Sequence, residues 1–513
     1  RLLDTMAQTT PACTFSLWRH YMQAATRAAR IPHVTDATSK GNCMRSKIAS
    51  GIALVFALAS NGLQAESLRD IYELALENDA QLKAEEAQYL ANLETEKLGR
   101  SALLPQVAGN YSYLDSDSDV NSLSPRLVDD GLRIVDTFAN TDITRDGYQL
   151  SLNQALFDLP AWFSFQSGKE FTRQAEATFA ANQQNLIVRV VEAYLLVLRA
   201  LDNLEASKAQ ERAFERQLEQ TQQRFEVGLI AITDVYEAQA AFDLSRVNRI
   251  VDENNVSVAL ERLSVLTGQN HSNLNVLKEE FEILLPEPND RAAWVDFALE
   301  NNFNLQAATY AEEAARQAAK ANKLEHAPKV SGQIGYEDFS TDGDRTIKPS
   351  NSLVGPPDRD EELQYWQVRL DLPLYTGGAI SANRRRAAQE FNAARENRIN
   401  LTRNTVTSAR SLHMTVVSDV SRVAARKQSI VSSKSALDAT QAGYEVGTRN
   451  VVDVLNAQNT LFAAQRDYAN SRYDYIVNML RLKEQAGLLS PEDVYNLDSY
   501  LVPPPPPTAT SSK

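Results

Sequence analysis

Apolar residues along this chain recur at helical intervals in its long stretches and alternate in its short ones. Ile187, Val190, Tyr194, Val197, Leu201 and Leu204 are spaced by three and four, the seam of a coiled coil. One residue on, Val188, Val191, Leu195 and Leu198 repeat that spacing, so the helix carries two adjacent seams. Two seams predict neighbours on both sides, as in a palisade or tube of helices; one wide stripe buried in an ordinary bundle is the competing reading. Elsewhere the period changes to two. Trp366, Val368, Leu370 and Leu372 fall on one face of a predicted strand and Gln367, Arg369 and Asp371 on the other; Tyr148, Leu150 and Leu152 alternate likewise with Gln149, Ser151 and Asn153.

The breakers divide the chain into long elements. Lys169 to Val227 is 59 residues without Gly or Pro, and Ala379 to Ala442 is 64. As helices these reach roughly 90 Å or more. After Gly228 in the first half and Gly447 in the second comes a 39-residue breaker-free run, Leu229 to Thr267 and Thr448 to Ala486. Helices of about 35 residues are expected before the first strand of each half, around 68–102 and 291–326, stacked end to end on the shorter helices. Gly228 and Gly447 mark the hairpin turns, where free φ is most useful.

The two halves are copies. "ALENDAQLKAEEAQYLANLETEKLGRSALLPQVAGNYSYLD" (75–115) aligns without gaps on 298–338 with 13 of 41 positions identical, "YQLSLNQALFD" (148–158) matches "WQVRLDLPLYT" (366–376), and "FEVGLIAITDVYEAQ" (225–239) matches "YEVGTRNVVDVLNAQ" (444–458). Three matches in one order mean that a whole unit was duplicated. Each unit reads helix, strand, loop, strand, very long helix, tight turn, shorter helix. The loops expected between strands, Ser116 to Arg145 and Ser340 to Glu362, are polar, acidic and rich in Ser and Asp.

Composition adds export. "MRSKIASGIALVFALASNGLQA" (44–65) has basic Arg45 and Lys47, a 13-residue apolar stretch from Ile48 to Ser60 and small Ala65 at the expected cut, the order of a secretory signal. Residues 1–43 read as an upstream extension. Without 1–65 the chain loses both cysteines, Cys13 and Cys43, and keeps 45 basic and 64 acidic residues, a net charge of −19. That balance disfavours nucleic acid as a partner. Strands of roughly ten residues with aromatic flanks (Phe157, Trp162, Phe163, Tyr375) in an exported chain suit a membrane barrel. Four strands per chain leave two open edges in lipid, so the sheet must close with copies of itself. Rings of two, three or four chains all satisfy this.

The hairpin tips, the strand-to-helix passages "LFDLPAW" and "LPLYTGGAIS" and the tandem duplication together resemble the TolC family of outer-membrane channel-tunnels, over about Glu66 to Tyr500. The resemblance implies a mainly α fold with a membrane β-barrel: a long coiled-coil tunnel and four strands per chain, closing as a homotrimer with a twelve-stranded barrel. It implies an outer-membrane location with the tunnel extending into the periplasm. The function implied is a passive exit duct of a tripartite efflux pump or type I secretion system, partnered by a periplasmic adaptor, an inner-membrane transporter and outer-membrane lipid. Carried over by position, Asp234, Tyr444 and Arg449 are the closing contacts of a gate. Val227, Gly228 and Leu229 with Val446, Gly447 and Thr448 form the tips that receive the adaptor. Asn456 departs from the acidic residue of close family members, which leaves Asp453, one turn earlier, to supply a negative ring at the constriction. The helix dipole explains an acid at Asp234 or Asp453 without any gate. The domains expected are a first efflux repeat at 66–288, a second at 289–490 and a Pro-rich tail at 491–513 containing "PPPPP" (503–507), expected to be extended and disordered. Segment 270–290 and the chain after Ser490 resemble the family's equatorial belt.

Enzyme chemistry finds no support. His271, His326 and His413 lack metal-ligand spacing and are expected as surface or helix residues. Gly377 and Gly378 lack the further glycine and lysine of a phosphate loop and are expected at a strand-to-helix bend. No catalytic residue, metal or cofactor is assigned. The alternative function is a non-pore periplasmic helical scaffold or adaptor, which accounts for the long hairpins but not for four membrane-style strands.

Overall fold

The computed structural model describes residues 65–128, 131–348, 352–353 and 358–504. The upstream extension, the export signal up to position 64 and tail positions 505–513 lie outside the described residues.

In chain order the elements are α1 (Leu68–Asn78), α2 (Ala80–Ser101), β1 (Gln106–Val128), β2 (Gly131–Phe157), α3 (Leu159–Glu226), α4 (Ile232–Thr267) and β3 (Val276–Leu277). The second half gives α5 (Arg291–Asn301), α6 (Phe303–Lys323), β4 (Lys329–Lys348), β5 (Ser352–Leu353), β6 (Arg359–Asp371), α7 (Ala379–Glu445) and α8 (Val451–Gln485). The chain then adds α9 (Pro491–Asp498) and β7 (Leu501–Val502). The long helices α3 and α7 have 68 and 67 residues, about 100 Å each.

Both seams of α3 are covered. Val190, Tyr194 and Val197 are fully buried on one, and Val191, Leu195 and Leu198 are at most 2% exposed on the other. Helices α2, α4, α6 and α8 all pack on α3, and α5, α6 and α8 pack on α7. The largest core lies at mid-height, where Tyr194, Leu186 and Leu198 meet Leu68, Ile71, Trp294, Tyr473, Leu482 and Val494. Each such side chain contributes about 1.5–3 kcal/mol by leaving water.

The helices expected at 68–102 and 291–326 are each broken once. Asp79 and Asn302 take extended backbone (φ −62°, ψ 111° and φ −63°, ψ 115°). Each caps the helix that follows: Asp79 accepts from the Gln81 and Leu82 amides, Asn302 from Leu305. No Gly or Pro marks these breaks; a short polar side chain competing for the backbone suffices. The two caps stand at equivalent positions of the duplicated units.

The loops expected at Ser116–Arg145 and Ser340–Glu362 are mostly strand. β1 pairs with β2 from Gln106↔Asn153 to Val128↔Gly131, and β4 pairs with β2 from Phe157↔Val330 to Phe138↔Lys348. Polar side chains there form cross-strand links instead of an apolar face: Asn140 donates to Asp117 and Asp119, and Ser122 meets Thr137. The 23 and 27 residues of β1 and β2 far exceed the ~10 that cross a bilayer.

The sheet order is β1-β2-β4-β6, with short β5 also beside β4. Near its base the faces separate cleanly. One row of register partners, Val107, Leu152, Ile334 and Trp366, is apolar across all four strands; the next, Gln106, Asn153, Gln333 and Gln367, is polar. Trp366 is 79% exposed and Val107 73%. Among the described residues β1 and β6 pair on one side only.

The first and last described segments meet at the stretch after α4. Glu66 bridges to Leu274, and β3 pairs with β7. His271 corrects an expectation: it is neither surface nor helical but 6% exposed in the loop after α4. His413 is buried on α7 and His326 is exposed near the base of β4. Gly377 and Gly378, at φ +63° and +88°, make the bend into α7.

Candidate functional site: the hairpin tips

Helix α3 stops because Gly228 turns left-handed at φ +77°, and α7 stops at Gly447, φ +82°. The turns close through backbone donors: the Leu229 amide to the Arg224 carbonyl, 2.9 Å, and the Thr448 amide to the Gly443 carbonyl, also 2.9 Å. Val227, Leu229 and Val446 are 70–76% exposed around these glycines, so each tip presents an apolar knob to solvent.

The return helices start differently. Asn450 accepts from the Asp453 amide at 2.8 Å while Asp453 accepts from the Asn450 amide at 3.4 Å, a complete capping box. Ala231 stands in the place of Asn450 and has no side chain to cap with. The carboxylate of Asp234, one turn into α4, consequently has no hydrogen-bond or ion-pair partner within the chain among the described residues, whereas that of Asp453 is engaged.

Tyr444 is 7% exposed and packs in a small core with Phe214, Val451, Val454 and Leu455. The Arg224 guanidinium lies over its ring, 4.5 Å from the centroid, and its hydroxyl is buried without a partner. A groove of about 440 Å³ between α3 and α7 runs past Tyr444, Arg224 and Gln217. Arg449 reaches Asp453 at 3.9 Å. The chain thus brings Arg449 to Asp453 but does not bring Asp234 to Tyr444 or Arg449. Asn456 is exposed on α8, and Gly228, Gly447 and Thr448 are exposed at the tips.

Arg224 was not singled out from the sequence. The duplication holds the signal: Arg224 occupies the position that Gly443 takes in the second copy. A Cβ on Gly443 would stand 2.8 Å from Arg449 Cγ. One tip therefore spends this position on a cation over Tyr444, the other on space for Arg449.

Among the described residues no cluster of His, Cys, Asp and Glu is arranged to hold a metal, and no helix is long and apolar enough to cross a membrane.

The family model for outer membrane efflux proteins matches residues 71–269 and 294–488. Outer membrane protein TolC of Vibrio cholerae is 36% identical over 442 residues, covering 86% of this chain and 95% of that protein. The alkaline protease secretion protein AprF of Pseudomonas aeruginosa is 29% identical over 431 residues, 83% of this chain and 85% of that one. Among solved structures, the CmeC outer membrane channel of Campylobacter jejuni superposes with a TM-score of 0.67 at 16% identity, over 92% of this chain and 98% of that one.

Proposed function

The chain belongs to the outer membrane efflux protein family, and from that membership we propose how its geometry serves an outer-membrane exit duct. The duct serves efflux and type I secretion. Three copies join the open edges of β1 and β6 into one twelve-stranded barrel, and their long hairpins form a tunnel across the periplasm. The sheet supports this reading: one row of register partners is apolar across all four strands, the adjacent row is polar, and among the described residues β1 and β6 each pair on one side only. In lipid such edges demand partners.

The tips form the inner entrance. Asp234, unpaired within its own chain among the described residues, links to Arg449 or Tyr444 of a neighbouring copy and holds the entrance closed. Asp453 and Asn456 line the constriction. The exposed Val227–Gly228–Leu229 and Val446–Gly447–Thr448 turns receive the hairpin of a periplasmic adaptor, which displaces those weak links while an inner-membrane transporter supplies the energy. A partly exposed ion pair holds about 1 kcal/mol or less, so the gate is reversible. Residues 44–65 are the removed signal, and 66–288 and 289–490 are the two repeats.

Cysteine pairs test the closure, because no cysteine follows Cys43. One cysteine in β1 and one in β6, at the barrel base, should cross-link between chains under oxidation and give a ladder ending at a trimer in detergent-extracted outer membrane. A water-soluble monomer, or a cross-link formed within one chain, would overturn the arrangement.

A further inference from the structure

Strands β1 and β4 begin, and β2 and β6 end, at the same end of the sheet. The register aligns Gln106 with Asn153, Phe157 with Val330 and Lys329 with Asp371, so the ends of α2 and α6 and the starts of α3 and α7 gather beneath one rim. That rim carries exposed apolar and aromatic side chains: Trp162 (48%), Leu374 (84%) and Tyr375 (85%). Aromatic and apolar residues in such a ring sit at the boundary between hydrocarbon and headgroups.

Directly below it, in the second turn of α7, stand Arg384, Arg385 and Arg386, all exposed. Arg384 and Arg385 make no ion pair among the described residues, and Arg386 meets Glu390 only at 3.6 Å, with both side chains more than 60% exposed. The helix does not explain them. Cations near a helix N-terminus oppose its dipole, whereas Arg100 and Lys323, in the last turns of α2 and α6, have that explanation. Successive helical residues point about 100° apart, so three in a row cover roughly 200° of the circumference and at least one lies within about 80° of the outward direction however α7 is turned. Their Cα atoms lie about 8–11 Å along the axis from the start of α7, and a headgroup layer is about 5–8 Å deep per leaflet. A long side chain that snorkels spans the difference.

We propose that Arg384, Arg385 and Arg386 bind the phosphates of anionic glycerophospholipids in the periplasmic leaflet. The guanidinium fork matches phosphate oxygens bidentately, and the site continues the lipid-facing belt. The inference rests on the membrane reading of the sheet. It gives the barrel a fixed depth: the apolar row sets the thickness and the arginines set the level.

Trp162 and Trp366 report from the belt itself, since Trp294 is 2% exposed and Trp18 falls in the segment expected to be removed. The full chain is reconstituted in phosphatidylcholine vesicles containing brominated phosphatidylglycerol or brominated phosphatidylcholine, and fluorescence quenching gives the relative affinity of the two lipids. Phosphatidylglycerol is expected to be preferred about five-fold or more, the effect of a single surface arginine on anionic lipid. R384Q/R385Q/R386Q should bring the ratio near one, while R384K/R385K/R386K keeps most of it. A ratio near one in the wild type, or an unchanged preference in the glutamine variant, overturns the proposal. So does lost export with unchanged lipid preference, which would assign the arginines to the lumen. Absence of quenching by either lipid would instead overturn the membrane reading beneath it.

Discussion

Glu66 Oε2 lies 2.5 Å from His271 Nδ1, and the other ring nitrogen lies 2.6 Å from Thr267 Oγ1. The backbone repeats the grip, with the Glu66 amide donating to the Asn273 carbonyl and the Asn275 amide donating to the Glu66 carbonyl. The Tyr194 hydroxyl, from the centre of α3, closes the knot on the Asn275 carbonyl at 2.8 Å. Leaving a buried polar partner unsatisfied costs about 1–3 kcal/mol. His271→Ala should therefore speed amide hydrogen exchange at 66–72 and 272–277 by one to two orders of magnitude, roughly what that free energy allows. Unchanged protection would show that the backbone bridge alone holds the segment.

Much of this architecture was legible in the chain. The two seams between Ile187 and Leu204, the glycines at 228 and 447 and the duplication gave the helices, turns and symmetry, because burial and φ leave direct marks on residue type. The breaks at Asp79 and Asn302 left none: a capping Asp or Asn within "ENDA" or "ENNF" is also ordinary exposed helix. The upper halves of β1 and β2 were hidden because Asn140, Asp117 and Asp119 exchange hydrogen bonds across strands, and polar alternation reads as loop. At the tips the types of Asp234 and Asp453 were visible but their difference was not, since it depends on whether residue 231 or 450 can cap the helix.

Asp419 anchors the long hairpin of the second unit. Its side chain is 1% exposed, accepts from Asn478 on α8 at 2.8 Å and pairs with Arg422 at 2.9 Å. Arg422 also reaches Asp474, which takes Arg199 of α3 at 2.5 Å. Asp419→Ala strips the acceptor from the half-buried Asn478 amide and should cost about 1–3 kcal/mol, with Arg422 partly rehydrated because it is 43% exposed. Asp419→Asn keeps one acceptor and should cost less. Thermal melts of both in detergent check the order; equal melting of Ala, Asn and wild type would refute it.

His413 makes stability depend on acid. Burial, with the Arg291 charge adding to it and Asp290 opposing, lowers the imidazole pKa from about 6.5, and Nε2 is buried without a partner. The folded state thus binds the proton more weakly than the unfolded state. Its contribution is complete above about pH 6.5 and is lost as pH falls through the lower folded value. The slope contributed is at most about 1.4 kcal/mol per pH unit. Melting temperature should fall between pH 7 and pH 5 more steeply in the wild type than in His413→Leu; parallel curves would exclude this histidine.

Conductance tests the proposed gate. Among the described residues the Asp234 carboxylate has no partner in its own chain, and the one ion pair of Arg449 is a 3.9 Å contact to Asp453 with the two side chains 62% and 37% exposed. Both are available to link neighbouring copies. Replacing either by Ala should raise the mean single-channel conductance in planar bilayers. A link worth about 1 kcal/mol or less raises the open population at most about five-fold. If the two residues face each other, Asp234→Ala/Arg449→Ala should exceed neither single variant appreciably, the non-additivity of a shared contact. Asp453→Ala should add a second effect, removing half of the capping box with Asn450 and loosening the first turn of α8 by about 1 kcal/mol. Conductance unchanged in both single variants would remove Asp234 and Arg449 from the gate and leave Arg224 over Tyr444 as the contact at the entrance to test next.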